Sequence, residues 1–196
     1  MPVNRQAQRS DATRARLLAA ARPLFAARGY SAVGTEEIVR AAGVTRGALY
    51  HQFRDKAELF EGVFEQVEEE VTGRIAQGAL GAGSEDPLAA LRAGAGMFLD
   101  LCADPEIERI VLLDAPAVLG WERWREIGMR YGLGLVSGVL EAGMEAGTIT
   151  RQPVRPLAHV LIGALDEGAM FVARASDREA ARAEVGAIVE RLLHRL

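Results

Sequence analysis

The sequence predicts an all-α protein of about nine helices, and three observations carry that expectation. No stretch alternates apolar and polar residues with the period of two that a half-buried strand requires. Apolar residues instead recur at spacings of three and four. Helix-start residues stand directly ahead of these runs, and Gly or Pro interrupts the chain between them.

The elements follow in order. In the first helix Leu17, Ala21, Leu24 and Phe25 make an apolar stripe, with Arg14, Arg16, Arg22 and Arg28 off it, and Gly29 stops the run. Thr35 is expected to cap a short second helix, whose first turn holds Glu36 and Glu37 as a helix N-terminus favours. Gly43 ends it. Thr45 caps a third short helix that carries Leu49 and Phe53 at i, i+4. Asp55 and Glu58 resemble a capping box and open a long helix through Leu59, Val63, Val67 and Val71. "GALGAGSEDP" reads as a loop ending in Asp86 as cap, with Pro87 at the first helical position, and Asp104-Pro105 repeats that signal. "RQPVRP" marks another break. Ser176 with Glu179 gives an S-x-x-E start for the last helix.

Composition narrows the function classes. A charged content of 26% and a hydrophobic content of 49% are ordinary for a soluble globular chain, and 196 residues suffice for a substantial core. The single Cys102 excludes an internal disulfide framework and fits a reducing compartment. The N-terminal "MPVNRQAQRSDATRAR" has no apolar signal-peptide region, and no uninterrupted apolar run has the length of a membrane span. A cytoplasmic protein with no membrane partner is expected. The net charge of -4 hides a division: through Phe60 there are ten Arg and Lys against five Asp and Glu, and beyond it thirteen against twenty-two. A basic head on an acidic body points to an anionic partner at one end.

The head supplies a motif for that partner. Two short helices joined at Ala42-Gly43-Val44, with a longer helix on either side, have the layout of a helix-turn-helix over about residues 34–53. Ile38, Ala42, Val44, Leu49 and Phe53 pack inward. The opposite face of the second short helix presents Arg46, Gly47, Ala48, Tyr50, His51 and Gln52. Such a helix fits the DNA major groove, where Arg46 can read guanine bidentately and the small Gly47 and Ala48 admit close approach. Tyr50, His51, Thr35 and Thr45 carry donors for phosphates, and Lys56 adds a cation in the first turn of the next helix.

"GYSAVGTEEIVRAAGVTRGALYHQFRDKAEL" resembles the DNA-binding signature of the TetR family of bacterial transcriptional regulators. The order Gly29, Tyr30, Thr35, Ile38, Ala42-Gly43-Val44, Gly47, Tyr50, Phe53, Lys56 and Leu59 carries the resemblance, which runs from about Asp11 to Val71. It implies that Thr35, Tyr50 and Lys56 contact phosphates while Arg46, Gly47 and Ala48 lie against bases. The chain departs from the pattern at Gln52, and Glu36 is acidic where a basic or polar contact residue can occur. The resemblance also implies two domains, residues 11–71 for DNA and residues 72–196 for ligand sensing and dimerisation.

The body was read from its own residues. Leu157, Val160, Leu161, Ala164, Gly168, Phe171 and Val172 make one stripe, and Val185, Ile188, Val189, Leu192, Leu193 and Leu196 another. Two such hairpins can pair across a two-fold axis as a four-helix bundle, or bury the same faces within one monomer. Leu157, Leu161, Ala164, Phe171, Val185, Ile188, Val189 and Leu192 are the expected dimer interface. Trp121, Trp124, Gly128 and Tyr131 share a helical face, which reads as plain core or as the wall of a small-molecule pocket. In the second reading Met97, Phe98, Leu101, Cys102 and Met170 complete the wall. Asp114, His159, Asp166 and Glu167 are its candidate polar anchors, the pair Asp166-Glu167 foremost because buried carboxylates need partners, although the pair also fits an interface ion pair or a solvated patch. Six glycines from Gly128 to Gly147 suit close helix packing or a deformable pocket.

Enzymatic signals are missing. His51, His159 and His194 have no metal-like companion, no zinc spacing is present, and there is no phosphate loop. No catalytic residue, metal or cofactor is expected. The sequence therefore predicts a homodimeric transcriptional repressor, bound to double-stranded operator DNA and released from it by a small apolar or aromatic effector. An activator or ligand-independent regulator stays open, as does a helical enzyme or scaffold that retains the motif.

Overall fold

The computed structural model describes residues 5–81 and 86–196, and among them the chain forms nine helices and no strand. These are α1 (Arg5–Arg28), α2 (Thr35–Ala42), α3 (Arg46–Gln52), α4 (Lys56–Gly81), α5 (Pro87–Cys102), α6, α7 (Trp121–Ala146), α8 (Val154–Arg174) and α9 (Arg178–Leu193). The helix α6 is one continuous stretch of three parts: α-helical Pro105–Ile107, π-helical Glu108–Asp114 and α-helical Ala115–Leu119. The loop expected at "GALGAGSEDP" begins later than its glycines suggest: residues 78–81 still belong to α4, residues 82–85 lie outside the described residues, and Asp86 and Pro87 are as expected, the Asp86 carboxylate accepting from the Leu88 N–H at 3.0 Å.

Two start signals were misassigned. The cap of α2 is Gly34, extended at φ -92° and ψ 151°, and Thr35 is the first helical residue. Gly34 receives the first helical bonds through its own carbonyl, from the Glu37 and Ile38 N–H groups, so the Thr35 hydroxyl is released for other contacts. At α9 the cap is Asp177, whose carboxylate accepts from the Ala180 N–H at 3.0 Å, not Ser176. Both Ser-x-x-Glu and Asp-x-x-x readings fit the sequence there, and the charged acceptor makes the stronger bond to a helix N-terminus. Asp55 and Asp104 do cap as expected, with Oδ1 accepting from Glu58 at 2.8 Å and from Glu106 at 2.9 Å.

The head and body share one core. It runs from Leu17, Phe25, Ile38, Leu49 and Phe53 through Phe60, Phe64 and Val67 of α4 into Ile110, Leu112, Trp124 and Ile127. The expected domain boundary at residue 71 thus falls inside α4, with no linker. Phe60 meets Phe25 and Tyr30 edge-on at ring separations of 5.2 and 5.3 Å, a geometry worth about 0.5–1.5 kcal/mol per pair beyond burial. A second core of Leu91, Ala95, Leu140, Met144, Ile149, Ala158 and Leu193 closes the far end of the body.

The body glycines divide by use. Gly147 ends α7 in the left-handed region at φ 75°. Gly143 admits Ile149, whose Cδ1 would lie 2.5 Å from an added Cβ. One helix, α8, is long and apolar enough by length and composition to cross a membrane, although no uninterrupted apolar run of that length exists. It packs along one side against α5, α7 and α9.

Candidate nucleic-acid interface and the cavity behind it

The turn between α2 and α3 is held from outside. Gly43 takes φ 60° and ψ 40°, and the Val44 N–H returns to the Val39 carbonyl at 3.0 Å, which closes α2. Arg16 of α1 donates to the carbonyls of Ala42 at 2.7 Å and Gly43 at 3.0 Å, satisfying acceptors that a helix end leaves open. An added Cβ at Gly43 would stand 2.9 Å from that guanidinium. Thr45 then caps α3 by accepting from the Ala48 N–H at 3.2 Å. At the other end of α3, Arg14 lies over the Phe53 ring at 4.3 Å and donates to the Gln52 carbonyl at 3.2 Å. The sequence reading placed Arg14 and Arg16 merely off the apolar stripe; they brace the reading helix.

With Leu49 and Phe53 buried, α3 turns Arg46, Gly47, Tyr50 and His51 to solvent and leaves Ala48 half-buried. Tyr50 is 44% exposed. The neighbouring Thr35 hydroxyl and Arg46 guanidinium hold its phenol below the usual tyrosine range. Arg46 lies over the Tyr50 ring at 5.6 Å and 3.8 Å from the Glu36 carboxylate. Two other expected contact residues are engaged within the fold. The Gln52 amide donates to Ser10 of α1 at 2.7 Å. The Lys56 ammonium donates to the carbonyls of Tyr30 at 2.9 Å and Val33 at 3.0 Å and sits 3.9 Å from the Tyr30 ring centre, while burial lowers its pKa. One of its three protons is left for an external acceptor.

Behind the head lies a cavity of about 130 Å³ between α4, α5, α7, α8 and α9. Of the residues expected around a pocket it gathers Phe98, Trp124, Gly128 and Asp166. Met97 instead packs toward Gly78 of α4, Leu101 and Met170 are buried in the core, and Tyr131 is packed half-buried against it. Trp121 is 58% exposed with its ring 4.8 Å from that of Trp124. Cys102 faces a separate hollow beside Glu108; burial, with Glu68 and Asp166 nearby, pushes its thiol up and leaves it unreactive. Asp114 is no anchor of this cavity, since its Oδ2 accepts from the Tyr30 N–H of the head at 2.7 Å. His159 and Glu167 are exposed.

The polar wall is Glu68, Thr72, Arg125 and Asp166, set among apolar side chains. Arg125 pairs with Asp166 and donates to the His159 carbonyl. Burial outweighs that pairing and raises the Asp166 carboxyl to about 6. The sequence reading missed Glu68. It is raised further, to about 8, by burial and then by the charge of Asp166. Its position follows from helical phase: Phe64, Glu68, Val71, Thr72 and Ile75 fall on one face of α4.

Two family signatures match the chain. "Bacterial regulatory proteins, tetR family" covers residues 17–63, and "Tetracyclin repressor-like, C-terminal domain" covers residues 88–196.

The chain belongs to the TetR family.

It is 33% identical to a TetR-family transcriptional regulator of Pectobacterium atrosepticum, over 97% of this chain and 96% of that one, with a TM-score of 0.84. It is 28% identical to the transposon Tn10 TetC protein of Escherichia coli over 141 residues, which are 70% of this chain and 68% of TetC. An 85-residue match at 39% identity to the HTH-type transcriptional regulator AcrR of Shigella flexneri spans 43% of this chain and 39% of AcrR. The TetR-family chain is a transcriptional regulator with a DNA-binding helix-turn-helix, and it is not an enzyme.

Proposed function

We propose that the chain is a homodimeric repressor that leaves its double-stranded operator when a small apolar or aromatic ligand fills the body cavity. The observation that carries this reading is the double membership of α4. Its first residue, Lys56, holds two carbonyls of the head, and its Glu68, Val71, Thr72 and Ile75 form part of the cavity wall. Lys56 and Glu68 are joined by roughly 18 Å of unbroken helix. A ligand that moves this wall moves the frame of the reading helix with it.

A second link supports the same coupling. Trp124 of the cavity wall donates to the Val111 carbonyl at 2.9 Å, inside the π-helical stretch that ends in Asp114. Asp114 in turn holds the Tyr30 N–H. A π-turn is a local irregularity of the kind that functional sites use.

Dimerisation rests on an uncovered face. Val160 and Phe171 of α8 are 66% and 56% exposed, and Ile188 and Leu192 of α9 are 49% and 52% exposed. With Ala164 they form the outward half of the two apolar stripes, while Leu157, Leu161, Val185 and Val189 are half-buried and pack inward. Two copies joined there make a four-helix bundle and set two reading helices on successive half-sites. In that reading Arg46, Gly47 and Ala48 meet base edges. Thr35, Thr45, Tyr50, His51 and the third proton of Lys56 meet phosphates, and Gln52 serves by fixing α3 on α1.

The test is a calorimetric titration of a cavity ligand into the protein with and without its operator, the operator first selected from a random DNA pool. Coupling of about 1–3 kcal/mol predicts a 5- to 150-fold weaker ligand affinity on DNA. Equal affinities reject the coupling. Sedimentation of Phe171→Glu, expected as a monomer with weakened operator binding, tests the interface separately.

A further inference from the structure

The cavity is apolar on most of its wall, yet it holds two carboxyls and one guanidinium. That guanidinium is already committed to Asp166 and to a backbone carbonyl. Glu68 is different. No described residue forms a hydrogen bond to its carboxyl, and this half-buried side chain lines the cavity together with Asp166. A carboxyl placed in an apolar enclosure without a partner is costly, and folded chains retain such a group where something else supplies the partner. An anion entering this cavity would meet two acids and a cation that is already paired. A neutral apolar molecule would leave Glu68 as it is. An organic cation satisfies both acids, and the faces of Trp124 and Phe98 in the same wall favour a positive charge nearby. The volume limits the rest of the ligand, for an engineered apolar cavity of roughly 150 Å³ admits a single benzene ring.

We propose that the effector of this cavity is a one-ring aromatic ammonium, its cationic group set between Glu68 and Asp166 and its ring against Trp124 and Phe98. This deepens the ligand-release reading and rests on it. Binding transfers one proton: the neutral Glu68 carboxyl of the empty cavity ionises to pair with the ammonium, and its proton passes to solvent. The groups facing Glu68 across the cavity and core are Asp166 of α8, Arg125 and Tyr131 of α7 and Cys102 of α5. Of these only Asp166, at about 6, titrates near the lower end of the working range.

The probes are benzylamine, benzyl alcohol and benzoate, which share one ring and differ in charge. Dissociation constants are read by NMR titration of the whole protein between about pH 6 and pH 8, where benzylamine stays protonated. Benzylamine is expected to bind about tenfold tighter than the alcohol at pH 8, and benzoate not at all. Its affinity should fall toward about tenfold per pH unit as the medium becomes more acid, while that of the alcohol stays flat. Glu68→Gln, checked for a cooperative thermal melt no lower than the parent's, should reduce the ammonium preference toward one and spare the alcohol. Equal binding of amine and alcohol, or a preference that survives Glu68→Gln, overturns the cation assignment and leaves ligand release standing. Failure of all three probes to bind overturns the cavity assignment as well.

Discussion

The head and the body treat polar groups in opposite ways. In the head the cations that brace the reading helix end on backbone acceptors: Arg16 on Ala42 and Gly43, Arg14 on Gln52, Lys56 on Tyr30 and Val33. Its core is filled, with Phe25, Phe53, Phe60 and Leu49 at most 1% exposed. The body keeps a cavity, and beside it a carboxyl that no described neighbour satisfies. A reading head needs one geometry, because base contacts fail when displaced by an ångström or so. A sensor needs two states of similar free energy, and an unfilled space with an unpaired acid lowers the cost of changing shape. On the proposed function, the difference teaches that rigidity and responsiveness are divided along α4 rather than spread through the chain.

The largest expected effect sets the two cores against each other. Phe60→Ala removes a fully buried ring from the aromatic cluster and should cost about 3–5 kcal/mol in urea unfolding. Phe98→Ala, half-buried on a wall that already borders empty space, should cost less than about 2 kcal/mol. Equal losses would break the contrast.

Next comes the pH dependence of stability. Burial and the charge of Asp166 move the Glu68 carboxyl from its ordinary 4.5 to about 8 on folding, so between those values the folded state binds the proton that the unfolded state has lost. Stability is then greatest below about pH 4.5 for this group and declines as pH rises toward 8, by an amount on the order of 2–4 kcal/mol. Glu68→Gln should flatten that decline and melt higher than the parent at pH 8. A parent chain whose stability is level from pH 5 to 8 would place Glu68 outside any desolvated site.

Substitutions on the reading face act on binding and not on folding. Arg46→Ala and Tyr50→Ala should each weaken operator affinity by about 1–3 kcal/mol while the melting temperature holds. Lys56→Met differs because it takes the donor from the Val33 carbonyl and leaves Tyr30 with only its bond from the Val33 N–H, and it should lose about 1–2 kcal/mol of stability as well. If its third proton meets a phosphate, the salt dependence of binding also drops by about one counterion. A Lys56→Met chain of unaltered stability would show that the head is less tightly tied than its hydrogen bonds indicate.

The same contrast governs what was legible in the sequence. The head was readable because its signals are local: Thr45 capping α3, Gly43 reversing the chain, Leu49 and Phe53 one turn apart. What escaped were partners distant in sequence, such as Arg16 reaching Ala42 or Lys56 reaching Tyr30, since nothing local distinguishes a bracing cation from a phosphate-binding one. In the body the stripes of α8 and α9 were legible, but not which half of each turns outward, as that is decided by neighbours. Glu68 was hidden by its setting. In "VEEEV" three acids stand together as on a solvated face, and only the phase set by Phe64 and Ile75 singles out the first of that run, Glu68, as inward. The π-helical stretch in "ERIVLLD" has no local cue, because the extra residue per turn is imposed by packing.

The smallest expected effect tests whether the head's surface follows the rule of its interior. Glu36 is 83% exposed in its side chain and stands 3.8 Å from Arg46, itself 64% exposed. An ion pair so open to water contributes less than about 1 kcal/mol, so Glu36→Gln should leave the melt within about 0.5 kcal/mol of the parent. Its effect on DNA should be of the opposite kind. A carboxylate beside the reading face repels phosphates and competes for the guanidinium, so its neutralisation should raise operator affinity a few-fold and raise non-specific affinity alongside. Fluorescence anisotropy at two salt concentrations separates the outcomes. A gain that vanishes at high salt identifies Glu36 as a charge that restrains the head. A loss of affinity would mean that Glu36 orients Arg46, in which case even this exposed pair belongs to the fixed geometry of the interior.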